Sequence, residues 1–394
     1  MNLFVLISRI PYPLEKGDKL RIFNQIVELS KSHNIHLCAL NDAAIHPDAK
    51  KMLAPYCKKI HFFSFSKWHL FRNFISGALK GLPFQVAYFY NRNYKKQIHK
   101  LIHEGNYDAV YCQLIRTTEY VQDLSIDKHL DYMDVFSKGM ERRFQTSSWP
   151  LKYVYYWEYK KLKAYERKMF DRFRIKTIIS EQDRKFIDHP KQEEIHIIRN
   201  GVDMEFFSPS KQEKKYDITF VGNMSYPPNV KAAIFLITQV LPILLKKKPD
   251  TNILIAGTNP HKKVLELASS KVSVSGWIDD IRDSYNSARL FIAPMHIGTG
   301  LQNKLLEAMA MKIPCITTTL ANNALKAKTD AVCIADSAEE IADAALMLLH
   351  NHEKASAQAD AAHRFVQKHY SWKYCTEMLN KLLIETVSST DITH

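Results

Sequence analysis

Short apolar runs rich in Val, Ile, Leu and Phe alternate with helical patterns along nearly all of this 394-residue chain. Parallel strands cannot be joined by tight turns, so a helix crosses back over the sheet between one strand and the next, and both sheet faces end up covered. The alternation therefore predicts a doubly wound α/β architecture. Strands are expected at residues 3–7, 35–40, 60–63, 109–112, 129–133, 175–179 and 195–198, with a second series at 218–221, 252–256, 272–274, 290–293, 315–318 and 332–334. Between the series lies Asn200-Gly201-Val202-Asp203 through Ser208-Pro209-Ser210-Lys211, a polar, turn-forming stretch that reads as a hinge. A chain of about 400 residues is also too long for one ordinary core. Two Rossmann-like domains are expected, 1–205 and 206–370, facing across a cleft, with 371–394 an amphipathic helix returning to the first domain.

Apolar residues make up 46% of the chain and charged residues 24%, a balance that supports a large core and excludes a disordered or low-complexity protein. The six cysteines, Cys38, Cys57, Cys112, Cys315, Cys333 and Cys375, form no C-x-x-C pair, so they read as thiols of a reducing compartment rather than zinc ligands. The run Leu3-Phe4-Val5-Leu6-Ile7 lacks the length and basic start of a signal peptide. No apolar segment approaches the roughly 18 to 20 residues that cross a bilayer, and the expectation is a cytoplasmic protein. A formal net charge of +14 calls for an anionic partner: a phosphorylated ligand, a lipid headgroup or nucleic acid. Helix-turn-helix, aromatic RNA-binding and finger spacings are all missing, so nucleic acid is not the expected partner.

Residues 294–310, PMHIGTGLQNKLLEAMA, place a glycine-framed turn directly before a helix expected over 301–311. At about 3.6 residues per turn, Gly300, Lys304 and Glu307 share one face, while Leu305, Leu306, Met309 and Ala310 form the apolar remainder. The Gly298-Thr299-Gly300 turn frees backbone N–H groups at the positive end of the helix, and Lys304 adds a full charge one turn on, which together suit a phosphate. Glu307 lies ~4 to 5 Å further along the axis, where its carboxylate can accept hydrogen bonds from a ribose. The competing reading is a solvated face on which Lys304 and Glu307 form a surface ion pair, worth only a few tenths of a kcal/mol.

The two-domain order, Asn200-Gly201-Val202-Asp203, Phe220-Val221-Gly222, Val274-Ser275-Gly276-Trp277 and Glu307-Ala308-Met309-Ala310 resemble the GT-B glycosyltransferases of the family 4 type, the glycosyl transferases group 1. The likeness covers almost the whole chain and is densest over 200–314. It implies transfer of a sugar from a nucleotide-sugar donor, with retention at the anomeric carbon and without metal; the donor is a co-substrate, and no cofactor is implied. It further implies that the C-terminal domain holds the nucleotide. Glu307 would then bind ribose, Gly222 and Asn223 would face the donor diphosphate, and Ile278 would meet the base through its backbone. Gly298, Thr299, Gly300, Lys304 and Leu305 complete the implied donor site. One position departs from the family pattern of two glutamates separated by seven residues: Thr299 stands at the first. The basic residue often found just after Gly222 is also absent, since Asn223-Met224-Ser225 follows, and Lys304 is placed to supply its charge. Lys304 and Glu307 are the candidates for catalysis, which would be electrostatic, with no protein nucleophile.

On the acceptor side, Gly17, Asp18 and Lys19 follow the first strand, with Asp18 a plausible helix cap and Lys19 and Arg21 able to meet phosphate or remain solvated. Asp131, Asp134 and Ser137 are placed to orient an acceptor hydroxyl, and Arg116 to bind phosphate, or each serves an ordinary loop or cap role. The function expected is a glycosyltransferase of polysaccharide biosynthesis acting on a glycan or lipid-linked acceptor. A sugar-nucleotide epimerase on the same architecture is the alternative, a basic nucleic-acid-binding protein a distant one. A dinucleotide oxidoreductase fails for want of a G-x-G-x-x-G after any strand. Residues 152–176 hold nine Lys or Arg against three acids, interleaved with Tyr153, Tyr155, Tyr156, Trp157, Tyr159, Phe170 and Phe173. That run is either a peripheral anchor at an anionic membrane face or a soluble helical element whose aromatics are core.

Overall fold

The computed structural model describes residues 1–14, 17–66, 68, 72, 73, 77, 81–210, 212–298 and 301–390; Thr299, Gly300 and Lys211 lie outside them. The chain divides into two compact units, Met1–Asn200 with Cys375–His394, and Gly201–Tyr374. Each is built on one all-parallel sheet.

The first sheet comprises β1 (Asn2–Ile7), β2 (Asn34–Asn41), β3 (Lys59–Ser64), β4 (Ala109–Gln113), β5 (Asp127–Met133), β6 (Ile175–Ile178) and β7 (His196–Ile197), in the order β3-β2-β1-β4-β5-β6-β7. Alternation of side chains along β1 separates two cores. Leu3, Val5 and Ile7 pack with Ile22 and Ile26 of the helix Gly17–Leu29 and with Leu379 and Leu383 of the final helix Trp372–Thr390. Phe4 and Leu6 point the other way, toward Ile98 of the helix Arg92–Glu104 and Leu162, Tyr165 and Met169 of the helix Leu151–Phe170. Because β1 is buried on both faces, its sequence is a continuous apolar run rather than an alternating one.

The second sheet comprises β8 (Tyr216–Val221), β9 (Ile253–Ala256), β10 (Val272–Val274), β11 (Ala288–Ala293), β12 (Cys315–Thr317) and β13 (Cys333–Ile334), in the order β10-β9-β8-β11-β12-β13. One expectation fails here. The continuous helix Pro227–Lys247 is, at 21 residues, long and apolar enough to cross a membrane by length and composition. Its Ala233, Leu236, Val240 and Leu244 lie instead in the core of this unit, which accounts for its apolarity.

In both sheets the chain winds first to one side and then to the other, so strand order reverses between β1 and β4 and between β8 and β11. Loops leave the sheet in opposite directions at such a point and open a crevice beyond the strands' carboxyl ends, the usual ligand position in open α/β sheets.

Candidate active site

The crevice of the second unit is floored by backbone. A Cβ on Gly257, whose φ is +135°, would stand 1.7 Å from the Gly222 carbonyl oxygen, and one on Gly222 would stand 2.7 Å from Asn229 Nδ2. The loops after β8 and β9 therefore meet at a distance only glycine permits. Asn229, on the helix that follows, ties this floor to the charge above it. Its Nδ2 donates to the Asn223 carbonyl at 2.9 Å, and its Oδ1 accepts from Lys304 Nζ at 2.7 Å. Lys304 also donates to Gln302 Oε1 at 3.1 Å and lies 5.5 Å from the centre of the Phe220 ring.

Among the described residues no carboxylate reaches within ion-pairing distance of Lys304; the surface pair with Glu307 does not form. Burial lowers the lysine pKa to about 8, although the Glu307 charge opposes the shift. A half-buried ammonium held by two neutral amide oxygens lacks a counter-ion, which is the state of a site prepared for an anion. Glu307 is occupied differently. Tyr285, fully buried on the helix Ile281–Asn286, donates its hydroxyl to Glu307 Oε2 at 2.6 Å and so fixes the carboxylate plane. Burial raises the Glu307 pKa, against the Tyr285 hydrogen bond and the Lys304 charge.

The helix carrying both residues runs Asn303–Ala310 and starts two residues later than expected, with Leu301 and Gln302 belonging to the approach loop. Leu305 must be withdrawn as a donor contact: its side chain is in the core and its N–H donates to the Gln302 carbonyl at 3.0 Å. Gly298 adopts φ +118°, a conformation that L side chains rarely take, beside Pro228. Asn223 is exposed, with its Oδ1 accepting from the Ser225 N–H and hydroxyl. Ile278 follows β10 half-buried against the core, beside an exposed Trp277 whose indole N–H donates to Asp279. Asn229, Tyr285 and Gly257 escape sequence reasoning. Asn229 and Tyr285 lie inside helical patterns, where an Asn reads as surface and a Tyr as core.

In the first unit, Gly17 opens its helix and Asp18 lies inside the first turn rather than capping it, accepting from Arg9 Nη1 at 3.0 Å and from the Lys19 N–H. Gln113, at the end of β4, donates to the Asp18 carbonyl and joins the two sides of the crevice. Arg116 donates to Gln85 Oε1 at 2.8 Å between the rings of Phe89 and Phe136, and its Nε is buried without a partner. Burial and then Arg9 pull its pKa down to about 10, and among the described residues no carboxylate pairs with it. Asp134 is exposed, accepting from the Val135 N–H at 2.8 Å.

Two expectations are corrected. Arg21 does not face phosphate; it is fully buried, donating to Asp131 at 2.7 Å and to Asn200 at 2.9 Å. Asp131, also accepting from Tyr111 and Thr177, has no capacity left for an acceptor hydroxyl. Ser137 is likewise buried, its N–H donating to Glu166. Among the described residues no group of three His, Cys, Asp or Glu side chains could hold a metal ion.

Residues 215–351, which contain the crevice of the second unit with Gly222, Asn229, Gly257 and Tyr285, match the family Glycosyl transferases group 1. That match takes in both Lys304 and Glu307. Solved structures spanning nearly the whole chain share its GT-B fold. A glycosyltransferase from Rickettsia africae superposes with a TM-score of 0.66 at 14% identity, covering 98% of each chain. Anabaena Alr3699/HepE in complex with UDP superposes at 0.65 and 12% identity, over 98% of this chain and all of the other. In sequence, the chain is 24% identical over 351 residues to an uncharacterized 44.6 kDa protein in the cps region of Klebsiella pneumoniae, covering 82% of this chain and 84% of that protein.

Proposed function

We propose that this glycosyltransferase moves a sugar from a nucleoside-diphosphate donor, with retention at the anomeric carbon in the manner of family 4, to a glycan or lipid-linked acceptor during polysaccharide assembly on the cytoplasmic side of a membrane. The observation that carries the donor assignment is Lys304, an ammonium without a counter-ion beside the backbone floor of Gly222 and Gly257. A departing diphosphate would take up that charge, and its stabilisation there favours cleavage of the bond to the sugar without a protein nucleophile. Glu307, held by Tyr285 on one oxygen, keeps the other for a ribose. Arg116 supplies a second unpaired cation for a phosphorylated acceptor in the first unit. Uridine is the base to test first, given the UDP complex of the Anabaena protein, and the cps-region relative supports the polysaccharide role.

Calorimetric titration with uridine, UDP and UDP-glucose tests the reading. Lys304→Met should weaken UDP far more than uridine, while Glu307→Gln should weaken both by about 1 to 3 kcal/mol. Equal losses for uridine and UDP in Lys304→Met would overturn the phosphate assignment. Release of UDP that does not depend on an added acceptor would overturn transfer.

A further inference from the structure

The basic, aromatic run separates into two parts in space. Its C-terminal half is interior: Tyr165, Met169, Phe170 and Phe173 are buried, and the chain enters β6 at Ile175. Its N-terminal half is the reverse. The helices Phe136–Thr146 and Leu151–Phe170 pack as a hairpin, and the end of that hairpin stands clear of the unit. Residues 148–154 are exposed without interruption, so the first turn of the second helix is uncovered on all sides. The tip presents Trp149 at 77% exposure, Tyr153 at 66% and Leu151 at 57%, followed by Val154 and Tyr156. Large apolar side chains gathered in this way on a surface mark a docking site.

The charges around the tip have one sign. From 142 to 165 the cations are Arg142, Arg143, Lys152, Lys160, Lys161 and Lys163, and the one acid is Glu158. Glu158 is turned inward, its two oxygens accepting from the N–H groups of Phe84 and Gln85 at 2.7 and 3.1 Å. Glu166 is buried as well, accepting from Ser137. With both acids of the helix engaged in the interior, its outer surface is purely cationic. Among the described residues Arg142, Arg143, Lys152, Lys160 and Lys161 pair with no carboxylate; four of them lie instead over the rings of Tyr155, Phe144, Tyr156 and Trp157.

The geometry points to an anionic lipid bilayer as the occupant of this surface, with Trp149, Leu151 and Tyr153 entering the headgroup layer and the cations forming a collar at the phosphates. An aromatic tip alone would suit a protein groove. The tip together with a collar of one sign matches a surface that is apolar within and negative at its rim. The inference stands on the hairpin and is independent of the donor reading.

Co-sedimentation with vesicles of phosphatidylglycerol and phosphatidylcholine tests it, against phosphatidylcholine alone. The protein should bind the mixed vesicles at low salt, release as salt rises, and shift its tryptophan emission to the blue. Lys152→Ala with Lys160→Ala should lower partitioning ~30-fold. Trp149→Phe should bind nearly as well as the parent while losing most of the emission shift, and Trp149→Ser with Tyr153→Ser should bind at least about tenfold more weakly. Each variant should keep the parental melting temperature and UDP affinity, which separates loss of the surface from loss of the fold or the donor site. Failure to bind mixed vesicles at low salt, unchanged partitioning in the lysine double variant, or a concentration-dependent dimer abolished by Trp149→Ser would each overturn the inference, the last by making a second copy of the chain the occupant.

Discussion

Lys304 keeps its proton only up to about pH 8, against an ordinary 10.5, because burial penalises the ammonium. A bound diphosphate favours the charged form, so UDP affinity should fall as pH climbs through 8. It should weaken about tenfold between pH 7 and 9, with one proton taken up on binding at the upper end. Between pH 8 and 10.5 the unfolded chain binds more protons than the folded one, so stability should rise across that window as the buried charge is discharged. Calorimetry in buffers of different ionisation enthalpy reads the proton, and Lys304→Met should abolish the pH dependence. Arg21 shows the opposite use of a buried cation. Burial disfavours its charge, but Asp131 outweighs the cost and raises its pKa. Arg21→Met would leave Asp131 buried and uncompensated, and should destabilise the first unit by about 3 to 5 kcal/mol in urea unfolding. Nothing in the string separates Arg21 from Lys304 as a phosphate ligand. Both are basic residues near a glycine turn, and only the fold shows that one faces a carboxylate and the other faces amides.

At the scale of elements, the strands are the most legible part of the chain, because burial on both faces writes each as an unbroken apolar run. All the expected strands are present, with bounds shifted by at most two residues. Helix starts are less legible. Leu301 fits the apolar stripe, yet the turn before it needs that residue and Gln302 out of the helix. Packing between helices leaves almost no sequence mark, and Glu166 is an example. It lies on Leu151–Phe170 and binds the first turn of Phe136–Thr146 through the Ser137 N–H. Burial lifts its pKa from 4.5 to about 7, against its hydrogen bonds to Ser137 and Phe136. The folded state thus retains a proton that the unfolded chain gives up near pH 4.5, and stability should fall as pH rises from there to about 7. Glu166→Gln should remove that slope. Relative to the parent it should gain on the order of 1 to 3 kcal/mol between pH 5 and pH 8, as read from urea midpoints.

For the whole molecule, the final helix assigns chain length to stability. Cys375–His394 belongs with the first unit, where Leu379 and Leu383 enter the same core as Leu3 and Val5, and Asn380 bonds His33. Truncation after Tyr374 should uncover that core, lower the melting temperature and speed proteolysis within residues 1–200, while residues 201–374 keep their UDP affinity. Loss of UDP binding on truncation would show that the second unit depends on the helix as well. The alternation of strands and helices announces such a two-part architecture; the return of the last helix is carried by amphipathicity alone, which does not say which core receives it.

The contact between Gly222 and Gly257 also bears on how the enzyme can change. With 1.7 Å between a would-be Cβ on Gly257 and the Gly222 carbonyl oxygen, position 257 cannot accept a side chain, and one at 222 would have to displace the Asn229 amide that holds Lys304. Variation in donor preference is therefore channelled to the rim, where Trp277 and Asp279 are exposed and Ile278 is half-buried. In a library randomised at all five positions and selected for transfer, 257 should return glycine alone, 222 should return glycine in most survivors, and altered sugar or base preference should map to 277–279. A lineage built on this scaffold would diversify its substrates from the edge of the site inward, around a centre pinned by the glycine at 257.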